Sequence, residues 1–109
     1  LGARDALPDI HRNFAEALRA RGDSVGALRQ AELAFDLSLD PAGRAYLPSA
    51  ASTLTDCVMK AREGHSTLDP ASREYVEGAI TRTLERVPRE LESAGLQSDA
   101  AAIRAKLTA

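Results

Sequence analysis

Apolar positions along the chain recur every three or four residues, the period of helices with one side in a core. Ile10, Phe14 and Leu18, with Ala15 and Ala17 beside them, predict a first helix from about Asp9 to Arg21, after a lead-in over residues 1–8. Gly22 ends it, and Asp23-Ser24 offer oxygens to cap a second helix, Val25 to Leu39. This helix is apolar on two faces: Ala27, Ala31 and Ala34 form a narrow one, and Val25, Leu28, Phe35 and Leu39 a bulkier one. Such a helix is packed between neighbours. Asp40-Pro41 stops it, because the residue before proline avoids the helical region, and Gly43 is expected to loosen the turn.

A third helix is expected from Pro48-Ser49 to Glu63, with Ala51, Leu54, Val58 and Ala61 inward and Ala50 and Cys57 alongside. Gly64 closes it, and His65-Ser66-Thr67-Leu68 reads as a loop. Asp69-Pro70 marks the next start, a capping carboxylate followed by proline at the first position. The fourth helix carries Val76, Ala79, Ile80, Thr83, Leu84 and Val87, and Leu91 continues its stripe. Pro88 either kinks this helix or ends it. After Gly95 a fifth helix, Ser98 to Leu107, turns Ala100, Ile103 and Leu107 inward. Composition agrees with an all-helical chain: there are 21 alanines and no run of β-branched residues, and Phe14, Phe35, Tyr46 and Tyr75 are the whole aromatic complement.

With 109 residues the chain is one domain, and because it begins at Leu1 it reads as a piece of a longer protein. The net charge of −2, with both signs mixed along the sequence, predicts neither a nucleic-acid nor a membrane surface. Apolar stretches are too short to span a bilayer, and the single cysteine fits a reducing cytoplasm. Arginine outnumbers lysine 12 to 2, a coding bias of GC-rich bacterial genomes.

Catalytic or metal chemistry needs converging groups. His11 falls on the first helix, His65 in a loop and Cys57 on the third helix, and no two share a motif. Cys57, between Leu54 and Val58, reads as a buried small side chain. Glu74 and Glu77 share a helix face, but Arg73 and Arg82 nearby mark it as solvated. Glu90 and Glu92 face apart. Gly22 and Gly26 fit no phosphate-binding loop. No cofactor, metal site or catalytic residue is expected.

Ala15, Leu18, Gly22, Ala27, Ala31 and Ala34 carry the spacing of a helical-repeat hairpin, small residues where two backbones approach and large ones at the wider end. Residues 11–41 thereby resemble a tetratricopeptide repeat, with Leu39-Asp40-Pro41 similar to the family's ending but two residues late. His11 stands in place of the usual aromatic residue. The region from 48 to 109 reads as degenerate repeats or as simple helical packing.

The resemblance implies antiparallel hairpins in a superhelical stack, against the alternative of an unrelated small bundle. It also implies a concave groove that holds a peptide or partner helix. By the family's positions the residues facing that groove are Asp9, Arg12, Asn13, Glu16 and Arg19. Glu16 stands where carboxylate-binding members carry an amide, so an acidic tail is not the expected ligand. The readings that follow are a non-catalytic interaction or scaffold module, a dimerising or regulatory domain of a larger bacterial regulator, and the helical part of an enzyme. Too few hairpins for a self-sufficient stack also imply neighbouring repeats, a cap, or a homodimer.

Overall fold

In the computed structural model, residues 7–108 are described. They form five α-helices: α1 (Leu7–Ala20), α2 (Ser24–Ser38), α3 (Leu47–Glu63), α4 (Pro70–Ser93) and α5 (Gln97–Thr108). Short 3-10 turns, Pro41–Tyr46 and His65–Thr67, precede and follow α3. Among the described residues there is no strand. The expected lead-in over 1–8 lies mostly outside them, and the helix has already begun at Leu7, with Pro8 in its first turn.

Local chemistry sets most of the boundaries. Gly22 (φ 85°) and Gly95 (φ 81°) take the left-handed conformation after α1 and α4. At each, the next residue's N–H reaches back to a carbonyl of the last turn, Asp23 to Leu18 at 2.9 Å and Leu96 to Leu91 at 2.8 Å. These bonds satisfy carbonyls that a helix end would leave unpaired. Asp23 caps α2 by accepting from the Gly26 N–H at 2.9 Å.

Gly43 does not loosen its turn. It is buried, and a Cβ there would lie 2.5 Å from the Leu37 carbonyl oxygen and 3.0 Å from Pro8 Cγ. Glycine is present because two backbone segments meet. Pro88 does not end α4, which runs on to Ser93 with the ring buried.

The helices pack in chain order. α1 lies against α2 and α3, α2 against α3 and α4, and α3 against α4 and α5; no Cα of α1 comes within 8 Å of α4 or α5. The array is therefore open and flattened, 39 × 29 × 20 Å. Its core joins Ala15 of α1, Ala27, Leu28, Ala31, Ala34 and Phe35 of α2, and Leu47, Leu54 and Val58 of α3. It continues through Val76, Val87 and Leu91 of α4 to Ile103 and Leu107 of α5. Ala27, Ala31 and Ala34 are at most 1% exposed, as their spacing predicts.

The face that α1 turns inward differs from expectation. Ile10 and Phe14 are 53% and 52% exposed, whereas Pro8 and Ala15 are buried. The α1–α2 contact sets small residues against small residues. Alanine opposite alanine lets the helices approach closely, and that approach leaves no room for Phe14 between them.

Candidate functional site

Of the predicted groove residues on α1, Arg12 and Glu16 face α3. A cleft of about 440 Å³ runs between these helices, lined by Arg12 and Glu16 of α1 and by Pro48, Ser49, Ser52, Thr53 and Asp56 of α3. It exists because α1 and α3 are adjacent in the array while α2 fills in behind them. Thr53 forms its buried floor, and Ser49 and Ser52 point to solvent at its rim.

Asp9, Arg12, Glu16 and Arg19 are engaged with one another, and Asn13 is exposed beside them. The Asp9 carboxylate accepts from Arg12 Nη2 at 2.8 Å and from Nε at 3.0 Å. Arg19 donates to Glu16, and that bond raises the guanidinium's affinity for its proton. Asp56, on the opposite wall, is 3.4 Å from Lys106 of α5. The charges around the cleft thus cancel in pairs, so it carries no surplus cation to hold an acidic ligand. These are half-exposed ion pairs of small energetic value, and a ligand can exchange with them at little cost.

Candidates for chemistry do not converge. Cys57 is 1% exposed, and burial pushes its thiol up to about 12, with Glu16 and Asp56 adding to the effect against the opposing influence of Arg19. A thiol in that state is a packing group and not a nucleophile at neutral pH. His11 Nδ1 is 2.7 Å from Gln30 Oε1, a bond between α1 and α2, and His65 Nε2 is 3.0 Å from Glu77 Oε1. Among the described residues no group of three His, Cys, Asp or Glu side chains is placed to hold a metal ion. Among them, too, no helix is long and apolar enough to cross a membrane.

A second polar cluster ties α2 to α4. Glu32 accepts from the Tyr75 hydroxyl at 2.6 Å and from Arg82 Nε and Nη2, each at 3.0 Å. The guanidinium of Arg29 stacks 4.7 Å from the Tyr75 ring centroid. Burial raises the Tyr75 pKa, and the bond to Glu32 raises it further. Arg82 therefore belongs to this clamp and not to the face of Glu74 and Glu77. Every charge in the clamp has a partner within the chain, which makes it a fastening between two hairpins.

Of the five groove residues that sequence reasoning expected, Arg12 and Glu16 line the cleft and Asp9, Asn13 and Arg19 do not; that reasoning did not anticipate the α3 wall. Ser49, Ser52 and Asp56 were recognisable as the polar side of a helix whose stripe was Ala51, Leu54, Val58 and Ala61. What it lacked was which helix would lie alongside α1. It also missed the outer face of α1, where Leu7, Ile10 and Phe14 are exposed. No protein-family model, curated protein or solved structure matches the chain.

Proposed function

We propose that the chain is a non-catalytic interaction module that holds a peptide or partner helix in the cleft between α1 and α3. The observation that carries this reading is the cleft itself. It is open along an array that does not close on itself, and hydroxyls and paired charges line it where a ligand main chain would run. Hydroxyl and amide groups at Asn13, Ser49 and Ser52 suit hydrogen bonding to a peptide backbone. The internally cancelled charges favour an uncharged segment. In this reading Arg12 and Glu16 form one wall, Asp9 and Arg19 hold them in place, and Asn13 meets the ligand at the rim.

The test is peptide selection from a display library, followed by NMR titration of the chain with the selected peptides. Shift changes centred on Arg12, Asn13, Glu16, Ser49, Ser52 and Asp56 are expected. Ser52→Trp, which fills the cleft from an exposed position, should weaken binding by more than about tenfold, the effect of losing roughly 1.4 kcal/mol. Peptides that perturb only residues elsewhere, or that ignore Ser52→Trp, would refute the assignment.

A further inference from the structure

A different side of α1 carries an inference independent of the cleft. At 100° per residue, Leu7, Ile10, Phe14 and Ala17 fall within an arc of about 80° on α1. Gly26, Gln30, Leu33 and Leu37 fall within about 60° on α2 by the same count. The two arcs adjoin. His11 bonds Gln30 across the helix pair, and Leu7 and Leu37 line one cleft with Pro8, Asp40, Ala42 and Gly43. Ile10 is 53% exposed, Phe14 52%, Leu33 41% and Leu7 36%. Within α1 and α2 neither arc contains a charged residue, although Asp, Glu, Lys and Arg make up 28% of the chain; the one carboxylate beside them is the Asp23 cap over Gly26, at the edge of the face. Loss of charge around large exposed apolar side chains is the compositional mark of an interface centre.

We infer that this face pairs with the same face of a second copy of the chain. Three observations select that occupant. The first is the absence of charge, which lets two identical faces meet without like-charge repulsion at a two-fold axis. The second is spacing. Leu7, Ile10 and Phe14 are symmetric about a point next to Ile10, so antiparallel contact of α1 with its twin sets Leu7 against the twin's Phe14 and brings the two Ile10 side chains to the axis. The third is area. The four side chains leave roughly 350 Å² of apolar surface, taking about 200 Å² for each large side chain. That is close to half of the ~800 Å² per partner that a standard interface buries. Uncharged neighbours and a polar rim at Arg29 and Asp40 add to it, and a contact of this modest size corresponds to a weak, reversible dimer.

Sedimentation velocity over about 1–500 µM tests the inference. A sedimentation coefficient rising from monomer to dimer is expected, and a monomer throughout would overturn it. Phe14→Glu, at an exposed position that leaves the fold intact by circular dichroism, should weaken the dimer by more than about 100-fold, because it sets two carboxylates into the contact. Leu84→Glu, at a residue 40% exposed on α4, should leave the dimer unchanged. The reverse pattern would place association elsewhere and overturn the proposal. Mixing Leu7→Cys and Phe14→Cys chains under oxidation should give mainly the mixed disulfide. Preferential like-with-like disulfides would rule out the antiparallel register. None of these measurements involves the α1–α3 cleft, so either reading can fail without the other.

Discussion

Ala31→Leu is the sharpest perturbation of the packing described above. Ala31 is wholly buried, on the face of α2 that carries Ala27 and Ala34 toward α1. Leucine adds three carbons where both backbones are already close, and the α1 residue buried at this contact is Ala15, whose methyl has no alternative rotamer to take. The helices must separate, or the leucine must take a strained rotamer. Overpacking of this kind costs about 1–3 kcal/mol. For a domain of this size each kcal/mol lowers Tm by about 4–8 °C, so a drop of about 4–24 °C is expected. Thermal melting by circular dichroism measures it. Ala102→Leu on the exposed side of α5 is the control, and it should stay within about 0.5 kcal/mol of the native chain. If Ala31→Leu melts with the control, the α1–α2 contact is not close, and the outward placement of Ile10 and Phe14 loses its cause.

Gly43→Ala should cost about 1–3 kcal/mol in urea unfolding, because the new Cβ meets the Leu37 carbonyl at 2.5 Å and Ser38 Cα at 3.1 Å, and backbone cannot yield cheaply. Gly64→Ala, with open space around it and φ of −96°, should be neutral or stabilise by up to about 1 kcal/mol. Alkaline pH should destabilise the chain through Cys57. Above the ordinary thiol pKa of 9.0 the unfolded chain has lost this proton while the folded chain, with its thiol near 12, keeps it. The unfolded state then binds fewer protons, so stability falls as pH rises, by about 1.4 kcal/mol from pH 8 to pH 10. Urea midpoints of the native chain and Cys57→Ala at those two pH values measure the difference; equal losses in both would mean the thiol is not held protonated by burial.

Five helices were legible because period and punctuation agreed, and so were most of their inward stripes; Ile10 and Phe14 on α1 and Leu84 on α4 lie outward instead. Gly22, Gly95 and the alanines of α2 each have one physical use and are found in it, and Asp69-Pro70 stands at the start of α4, although the Asp69 side chain makes no capping bond. The turn at 41–46 was less legible. Gly43 there answers to a carbonyl six residues back and to Pro8, a contact that only the tertiary fold creates. Pro88 was ambiguous because a proline inside a helix loses one hydrogen bond, a cost that packing can offset, and its ring is buried. The cleft was half legible for a related reason. A helix declares its own polar side, but the neighbour that turns this side into a groove is fixed by the order of packing.

The misread face of α1 bears on function more than the others, because it sets the two ends of the array apart. A stack of helices needs a polar outer face at each end to remain soluble alone. The α5 end meets that need. Its exposed positions include Gln97, Ser98, Asp99, Arg104, Lys106 and Thr108 beside three alanines, and Arg104 pairs with Glu92 while Lys106 pairs with Asp56. The α1–α2 end does not, since its outer face presents Leu7, Ile10, Phe14 and Leu33 with no charge among them. A hydrophobic stripe that only reflected helix formation would have been turned into the core, where Ala15 lies instead. Keeping large apolar groups outside while small ones hold the helices together costs solubility and contributes little to the stability of a lone chain. Under the proposed pairing, covering that face would add the burial that the lone chain forgoes.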